Sequence, residues 1–328
     1  MLTRRQALAT LALSFGAVAA PAIARAAGPV LTRDVRLICP YAPGGTVDLL
    51  GRMLAEAIGP RLGGRNIVVE NRSGAGTFIA MQAAANAPDG YTMSMSSTAT
   101  LATTPVLPGA MAPIDVDKAL ANVTSLIRVP MVLVGQPNAP YRTLAELITY
   151  AKANPGKLNI GNSGQGGQTH LLAARLMHEA GITMEQIQYR GGTPALLDIM
   201  AGNSDLYFSL LPESLPFIRD GRLRPIAFVS TERNTTLPDV PLARETIAGF
   251  TGDVGYGMVM ASGTPPEWLA FWNEEINRAM STPEFRARLE SRFLVATNGT
   301  PAAYTAEIME DRRVWGAVIQ AAGIRAGA

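Results

Sequence analysis

Four short stretches of this chain place glycines and small polar residues immediately ahead of helix-forming sequence. They are Pro43-Gly44-Gly45-Thr46, Ser73-Gly74-Ala75-Gly76-Thr77, Ser163-Gly164-Gln165-Gly166-Gly167-Gln168-Thr169 and Gly191-Gly192-Thr193-Pro194. Glycine lets a ligand approach the main chain. The first N–H groups of a helix have no partner inside it, and the helix dipole adds partial positive charge at that end. Such a turn holds a small anion, a phosphate or a carboxylate. Each turn taken alone is also what any tight strand-to-helix connection needs. Four of them, spread over both halves of the chain, point to an anion-binding cleft. Thr193-Pro194 reads as an N-cap followed by proline at the first helical position. Asp48 falls in the first turn of its helix, where it favours the dipole and can order the Gly44-Gly45 turn.

Other chemistries find little support. No G-x-x-x-x-G-K-[ST] run is present, and Gly156-Lys157 lacks the upstream glycine loop. "GAGTFI" lacks the third glycine of a dinucleotide fingerprint, and the strand after it, "YTMSMSS", offers no acid for a ribose. The two histidines, His170 and His178, stand eight apart without an HExxH pattern, which argues against a metal. Ser163 lies in "GNSGQ" rather than G-x-S-x-G. An exported serine hydrolase using Ser163, His170 and a third acid is the enzymatic alternative. His170, at the start of a helix after a glycine loop, reads rather as a residue of the cleft wall or one that orients the loop, and His178 as a surface residue.

The elements that must position these turns alternate between strand and helix. "VRLICPY", "NIVVEN" and "YTMSMSS" are short apolar or hydroxyl-rich strands separated by helical patterns. The first helix puts Leu49, Leu50, Met53, Leu54, Ala57 and Ile58 on one face and stops before Pro60. This β-α-β-α-β order predicts a parallel, doubly wound sheet, whose ligands bind at the carboxyl ends of the strands. A second unit of the same kind begins near Arg128, with "LPDVP" as an irregular surface stretch near its end. After Gly255 one strand and a run of helices make no third domain, so they return to complete the first. The expected architecture is α/β. Two doubly wound lobes, residues 28–128 with 253–328 and residues 129–252, flank a ligand cleft and are joined by two chain crossings, near Arg128 and Gly252.

Composition agrees with a globular chain: 328 residues, 48% hydrophobic and 16% charged. Residues 1–26 read as a secretory signal peptide, with Arg4 and Arg5 before an uncharged stretch and Ala24-Arg25-Ala26 as cleavage signal. The arginine pair fits either general secretion or a weak twin-arginine signal. Losing Arg4, Arg5 and Arg25 turns the formal charge from +2 to −1. A near-neutral mature chain lacks the basic field that nucleic-acid binding needs. The single cysteine, Cys39, excludes an intrachain disulfide and reads as a buried core residue. A periplasmic location accommodates this.

At these same residues the chain resembles the substrate-binding proteins of tripartite tricarboxylate transporters, the Bug family. The stretches are "YAPGGTVDLLGRMLAE", "VVENRSGAG", "APDGYT", "THLLAARL", "YRGGTPALLDIMAGNSDLYF", "LPFIRDGRLRPIA", "LPDVP", "SGTP" and a closing "W…VIQAAGI". They run in this order from Val35 to Ile324, behind a signal peptide. The resemblance implies a type II periplasmic binding protein that closes on its ligand by hinge motion. It implies no catalysis, metal or cofactor, a monomer, and a two-subunit membrane transporter or a membrane sensor as partner. Family ligands are di- and tricarboxylates, acidic amino acids and aromatic acids, gripped by main-chain N–H groups and water. The positions carried over are Gly44, Gly45, Thr46 and Asp48, with Ala75 and Gly76, from the first lobe. From the second they are Gly166, Gly167, Thr169, His170, Gly192, Thr193 and Asp205. Tyr41, Thr77, Ser97 and Thr98 complete the expected lining. The chain departs from the family at Ser73 (usually Pro), at Thr77-Phe78 (usually Gly-Asn), at Gly167 (commonly Ser) and at Ser209 (frequently Asp). Losing an acid at Ser209 removes one partner for a ligand ammonium and tilts the expectation away from amino acids. Phe78 is expected on a buried helix face rather than in the cleft wall.

Overall fold

The computed structural model describes residues 29–110, 112–164, 166–230 and 232–326. The expected leader and its cleavage site lie outside the described residues. No helix among the described residues is long and apolar enough to cross a membrane.

The first lobe is built on β1 (Val35–Cys39), α1 (Thr46–Ile58), β2 (Ile67–Asn71), α2 (Phe78–Ala85), β3 (Thr92–Ser97), α3 (Thr98–Thr103), α4 (Val116–Ala119) and β4 (Leu120–Val129). The second follows with β5 (Met131–Gly135), α5 (Leu144–Ala153), β6 (Asn159–Asn162), α6 (Gln168–Ala180), β7 (Glu185–Gln188), α7 (Gly192–Ala201), β8 (Leu206–Leu210), α8 (Leu211–Arg219) and β9 (Arg224–Phe228). The chain then returns through β10 (Val254–Ala261), α9 (Pro266–Met280), α10 (Pro283–Glu290), β11 (Val295–Ala296) and α11 (Pro301–Ala321).

Two sheets result, one with the order β11-β4-β10-β3-β1-β2 and one with the order β7-β6-β8-β5-β9. β2, β1 and β3 run parallel, as do β7, β6 and β8. The expectation of parallel sheets holds only for these halves. β10 pairs antiparallel with β3 and β4, and β5 with β8 and β9. The reason is connectivity. β5 and β10 enter their sheets directly from the other one, without the crossover helix that a parallel neighbour requires.

Only Pro130 separates β4 from β5, and its carbonyl accepts from Leu211 N at 2.9 Å. The return passes Gly252, whose N–H donates to Val229 O at 2.7 Å. Arg128, Glu307 and Asp311 meet beside the crossings, with ion pairs of 3.0 and 3.5 Å from the guanidinium. Ser230 Oγ donates to Asp253 Oδ1 at 2.9 Å.

α1 buries Val47, Leu50, Met53, Leu54 and Ile58 against the sheet, while Leu49, expected on that face, is 40% exposed. Cys39 is fully buried, as expected. Trp272 of α9 is also fully buried, and its indole N–H donates to Gly90 O at 2.8 Å. That pairing lets the ring bury its apolar surface, a contribution of about 2–3 kcal/mol, without leaving a buried donor unsatisfied. Phe78 packs with Met81, Leu101, Tyr304 and Ile308 in an apolar cluster, so it is a core residue and forms no cleft wall.

Candidate functional site

Six helices begin where a strand of a parallel set ends: α1, α2 and α3 in one lobe, and α6, α7 and α8 in the other. None of the six has a side-chain cap on its first N–H groups. Helices elsewhere are treated differently. Asp115, Thr143, Thr282 and Thr300 cap α4, α5, α10 and α11 with side-chain oxygens. α9 begins at proline, which has no N–H to satisfy. Helix starts without a side-chain cap are thus concentrated along one edge of each sheet, although α2 and α8 have first N–H groups bonded to main-chain oxygens, and such a disposition suits an anion.

The first turn is held from behind. Gly44, at φ +85°, turns the chain in a conformation that L residues avoid. Its N–H donates to Asp48 Oδ2 at 2.9 Å, and Asn71 Nδ2 donates to Asp48 Oδ1 at 2.8 Å. Arg52 closes the ion pair at 3.0 Å. Burial alone would raise the Asp48 carboxyl, but Arg52, the Gly44 N–H and Asn71 outweigh it and hold it below the ordinary value. Asp48 is therefore a support of the turn, its oxygens engaged away from any ligand. In the second turn Ala75, Gly76 and Thr77 all have positive φ, at 47°, 60° and 82°. Thr77 Oγ1 donates to Thr100 Oγ1 at 3.3 Å.

In the second lobe, Gly166 N donates to His170 Nδ1 at 3.2 Å, and Ser163 N to Thr169 Oγ1 at 2.9 Å. Both helix residues thus shape their own loop. His170 is 2% exposed, and burial lowers its pKa, which keeps the ring neutral near pH 7. Ser163 Oγ pairs with Thr169 Oγ1 at 3.1 Å. The serine and the histidine of the hydrolase alternative are therefore each engaged with a different loop partner.

Where the two edges meet, Glu213 in the first turn of α8 reaches across to Thr46 at the start of α1. The two side chains lie close together there. A Cβ on Gly192 would lie 2.5 Å from Glu213 Oε2 and 2.9 Å from the Tyr207 hydroxyl, so only glycine leaves room for both. Tyr207 lies near Ser163, and Tyr41 near Tyr256 and Ser97. The Tyr41 and Tyr256 rings stand edge to face at 5.9 Å. Burial pushes all three phenols up and Glu213 up to about 7, nearby Thr46 offsetting part of that rise.

The structure thus brings together Tyr41, Gly44, Gly45, Thr46, Ser97 and Gly192 around this seam, with Ala75, Gly76 and Thr77 and Gly166 to His170 in the flanking turns. It corrects three expectations. Asp205 stands at the amino end of β8, where Oδ2 accepts from Asn159 N at 2.9 Å, on the edge opposite the glycine turns. Asp48 orders the Gly44 turn, the role its place in the first helical turn implied, with its oxygens bonded inside the protein. Thr98 Oγ1 joins Gly255 N and O at 3.0 Å, tying α3 to β10. The cap of α7 is Gly191, at φ +124°, so Thr193 lies one residue inside the helix and is exposed. Sequence reading missed Glu213, Tyr207 and Tyr256. The junction Leu210-Leu211-Pro212, with proline at a helix start after a strand, was the signal for Glu213, but it carries no glycine.

Residues 50–324 match the model of a family described as tripartite tricarboxylate transporter family receptor. The chain is 29% identical over 326 residues to Protein BugT of Bordetella pertussis, covering 99% of both chains. Among solved structures it resembles R. palustris Rpa4515 with adipate, at TM-score 0.84 and 27% identity over 90% of this chain and 98% of that one. The periplasmic binding protein BugD gives TM-score 0.83 and 28% identity, covering 90% and 99%. MatC from Rhodopseudomonas palustris with bound malate gives 0.80 and 26%, covering 88% and 99%.

Proposed function

The chain belongs to the tripartite tricarboxylate transporter receptor family, and from that membership we propose that it captures a small organic carboxylate between its lobes and delivers it to a two-subunit membrane transporter. The observation that carries the reading is the set of helix starts without side-chain caps, drawn from both sheets and meeting at the Glu213–Thr46 contact. Adipate and malate, named in two of the similar structures, are the class of ligand such an array suits. Gly45, Ala75 and Gly76 offer N–H groups from one side and Gly192 from the other, while those of Gly44, Thr77, Gly166 and Gly167 are already bonded within the turns and hold their shape. Each main-chain donor to a carboxylate contributes about 1.5–3 kcal/mol once solvent is excluded, and water bridges the remainder. Both halves of the cleft come from one chain, which supports a monomer. The leader supports export to the periplasm, and the near-neutral mature chain supports a partner other than nucleic acid.

A thermal-shift panel of succinate, malate, citrate, adipate, glutamate, benzoate and terephthalate tests this on mature protein refolded free of carried ligand. A ligand at a hundredfold excess over Kd stabilises the folded form by about 2.7 kcal/mol, a shift of several degrees. Absence of a shift with every acid would overturn the carboxylate reading.

A further inference from the structure

The second crossing, Gly252 to Gly255, is gripped at its two ends by side chains of opposite lobes. On one side Gln168, the first residue of α6, donates from Nε2 to Gly252 O at 3.0 Å and to Asp253 O at 3.4 Å. On the other Thr98, the first residue of α3, donates from Oγ1 to Gly255 O and accepts from Gly255 N, both at 3.0 Å. Gln168 is 7% exposed and Thr98 1%. The fit is close at each end. A Cβ on Gly252 would run into the Leu172 side chain, and one on Gly255 would lie 2.7 Å from Thr98 Oγ1.

α6 carries the crossing along one of its faces, because Gln168, Leu172 and Arg175 follow each other at helical spacing. Arg175 donates to Thr251 O at 2.9 Å and to Gly249 O at 2.8 Å, and its guanidinium lies 4.8 Å from the centre of the Phe250 ring. Residues 249–253 are thus fastened to α6, and Gly255 to α3. Gln168 Oε1 is buried and has no partner among the described residues. Methionine would fill the same space without stranding an acceptor, so what the amide adds is its donor. The first crossing is built differently. Pro130 O takes a main-chain N–H from Leu211, and Arg128 beside it pairs with Glu307 and Asp311 of its own lobe.

We infer that Gln168 and Thr98 are positioning residues for ligand capture: by clasping the two ends of the Gly252–Gly255 crossing they set how the lobes are turned toward each other, and hence how long a bound ligand is held. The inference rests on the reading of the cleft as a carboxylate receptor. The N–H groups assigned to the ligand come from Gly45, Ala75 and Gly76 in one lobe and Gly192 in the other, so they converge only at one lobe orientation. Hinges are short stretches that absorb the whole change in main-chain angles. Here the clasps confine that change to the chain between Asp253 and Gly255. With both in place the crossing has few conformations, and losing either one frees it. Ligand enters an open cleft, so the effect falls on how fast it leaves.

Spin labels on Arg65→Cys and Leu197→Cys, exposed positions of opposite lobes, report the interlobe distance, since Cys39 is buried and stays unlabelled. Gln168→Met keeps the buried volume and removes the donor. Thr98→Val removes the hydroxyl, and Thr98→Ser keeps it. The ligand-free distance distribution is expected to broaden in Gln168→Met and Thr98→Val and to match the wild type in Thr98→Ser. Stopped-flow kinetics with adipate and malate should show dissociation about tenfold faster in the first two, with association within about twofold of the wild type. Both clasps serve one crossing, so the double variant should leave no faster than the poorer single one. Loss of packing alone would lower Tm and leave the dissociation rate of the folded protein unchanged. Wild-type distances and dissociation rates in Gln168→Met and Thr98→Val would overturn the inference and leave the carboxylate reading standing, and so would equal effects of Thr98→Ser and Thr98→Val. The variants act on different ends of the crossing, so either one decides if the other folds poorly. If neither acid binds the wild type, the carboxylate reading falls, and the ligand-free distances still decide whether the clasps set the lobe orientation.

Discussion

Asp48 holds the first turn of the cleft, and its removal has a size that follows from its contacts. The side chain is 2% exposed and receives Gly44 N–H and Asn71 Nδ2 at 2.9 and 2.8 Å. Asp48→Ala deletes two hydrogen bonds to a charged acceptor and leaves the half-buried Asn71 amide short of a partner. Each lost bond costs about 1–2 kcal/mol, and the missing acid in the first helical turn adds about 0.5 kcal/mol. The half-exposed Arg52 arm is screened by solvent and contributes little. The expected loss is about 3 kcal/mol of stability at pH 7, a fall in Tm on the order of 5 °C. Affinity should fall as well. Gly44 and Gly45 become free in the open form and must be ordered again on closure, at about 1–2 kcal/mol per residue, or about tenfold in Kd. The sign with pH is fixed by the depressed carboxyl. Its contribution is present above about 4 and disappears as pH falls through the lower folded value, so the variant's deficit should shrink in acid. Urea unfolding at pH 7 and pH 3.5 with a binding isotherm measures all three quantities. An Asp48→Ala protein with wild-type stability and wild-type Kd would refute the assignment of Asp48 as the support of this turn.

Gly192→Ala puts a methyl group against the Glu213 carboxyl and the Tyr207 hydroxyl. Because the Glu213 end is flexible, the expected stability loss is under about 1 kcal/mol while ligand affinity falls at least tenfold, as urea unfolding and calorimetry on the same sample would register. Arg128→Met leaves Glu307, Asp311 and Asp253 without their cation beside the crossings. Burial raises Asp253 to about 6 and Asp311 above its ordinary value, so both carry charge chiefly at higher pH. Stability attached to their neutral forms is present at low pH and lost as pH rises through the folded values. The variant should therefore lose on the order of 2 kcal/mol at pH 8 and less at pH 5, and equal losses at both would contradict the arrangement.

What the sequence disclosed was mostly main-chain architecture. Glycine before a helix is a local signal, and all four turns read from it sit at carboxyl ends of parallel strands. Side-chain roles transferred less well. Asp205 was assigned from its place in a motif, but a strand has two ends, and "DLYF" puts the acid at the end far from the cleft. Thr98 was expected in the lining because its partner, Gly255, belongs to the strand that returns after the second lobe and is not visible from the local sequence. The antiparallel entry of β5 and β10 was hidden for a related reason, since strand polarity depends on which sheet the chain leaves, and only the folded chain displays that. Glu213 was invisible because a glutamate in the first turn of a helix ordinarily reads as a dipole partner.

The reading proposed above also has a physical rationale. A cleft that recognises carboxylates with lysine or arginine must strip those cations of water each time it closes, a cost of several kcal/mol per ion. Helix N–H groups carry only partial charge, are fixed in place by the fold, and lose little on closure. Recognition by main-chain donors, as proposed for this chain, therefore suits a receptor that opens and closes repeatedly, but it leaves no full positive charge to balance a full negative one.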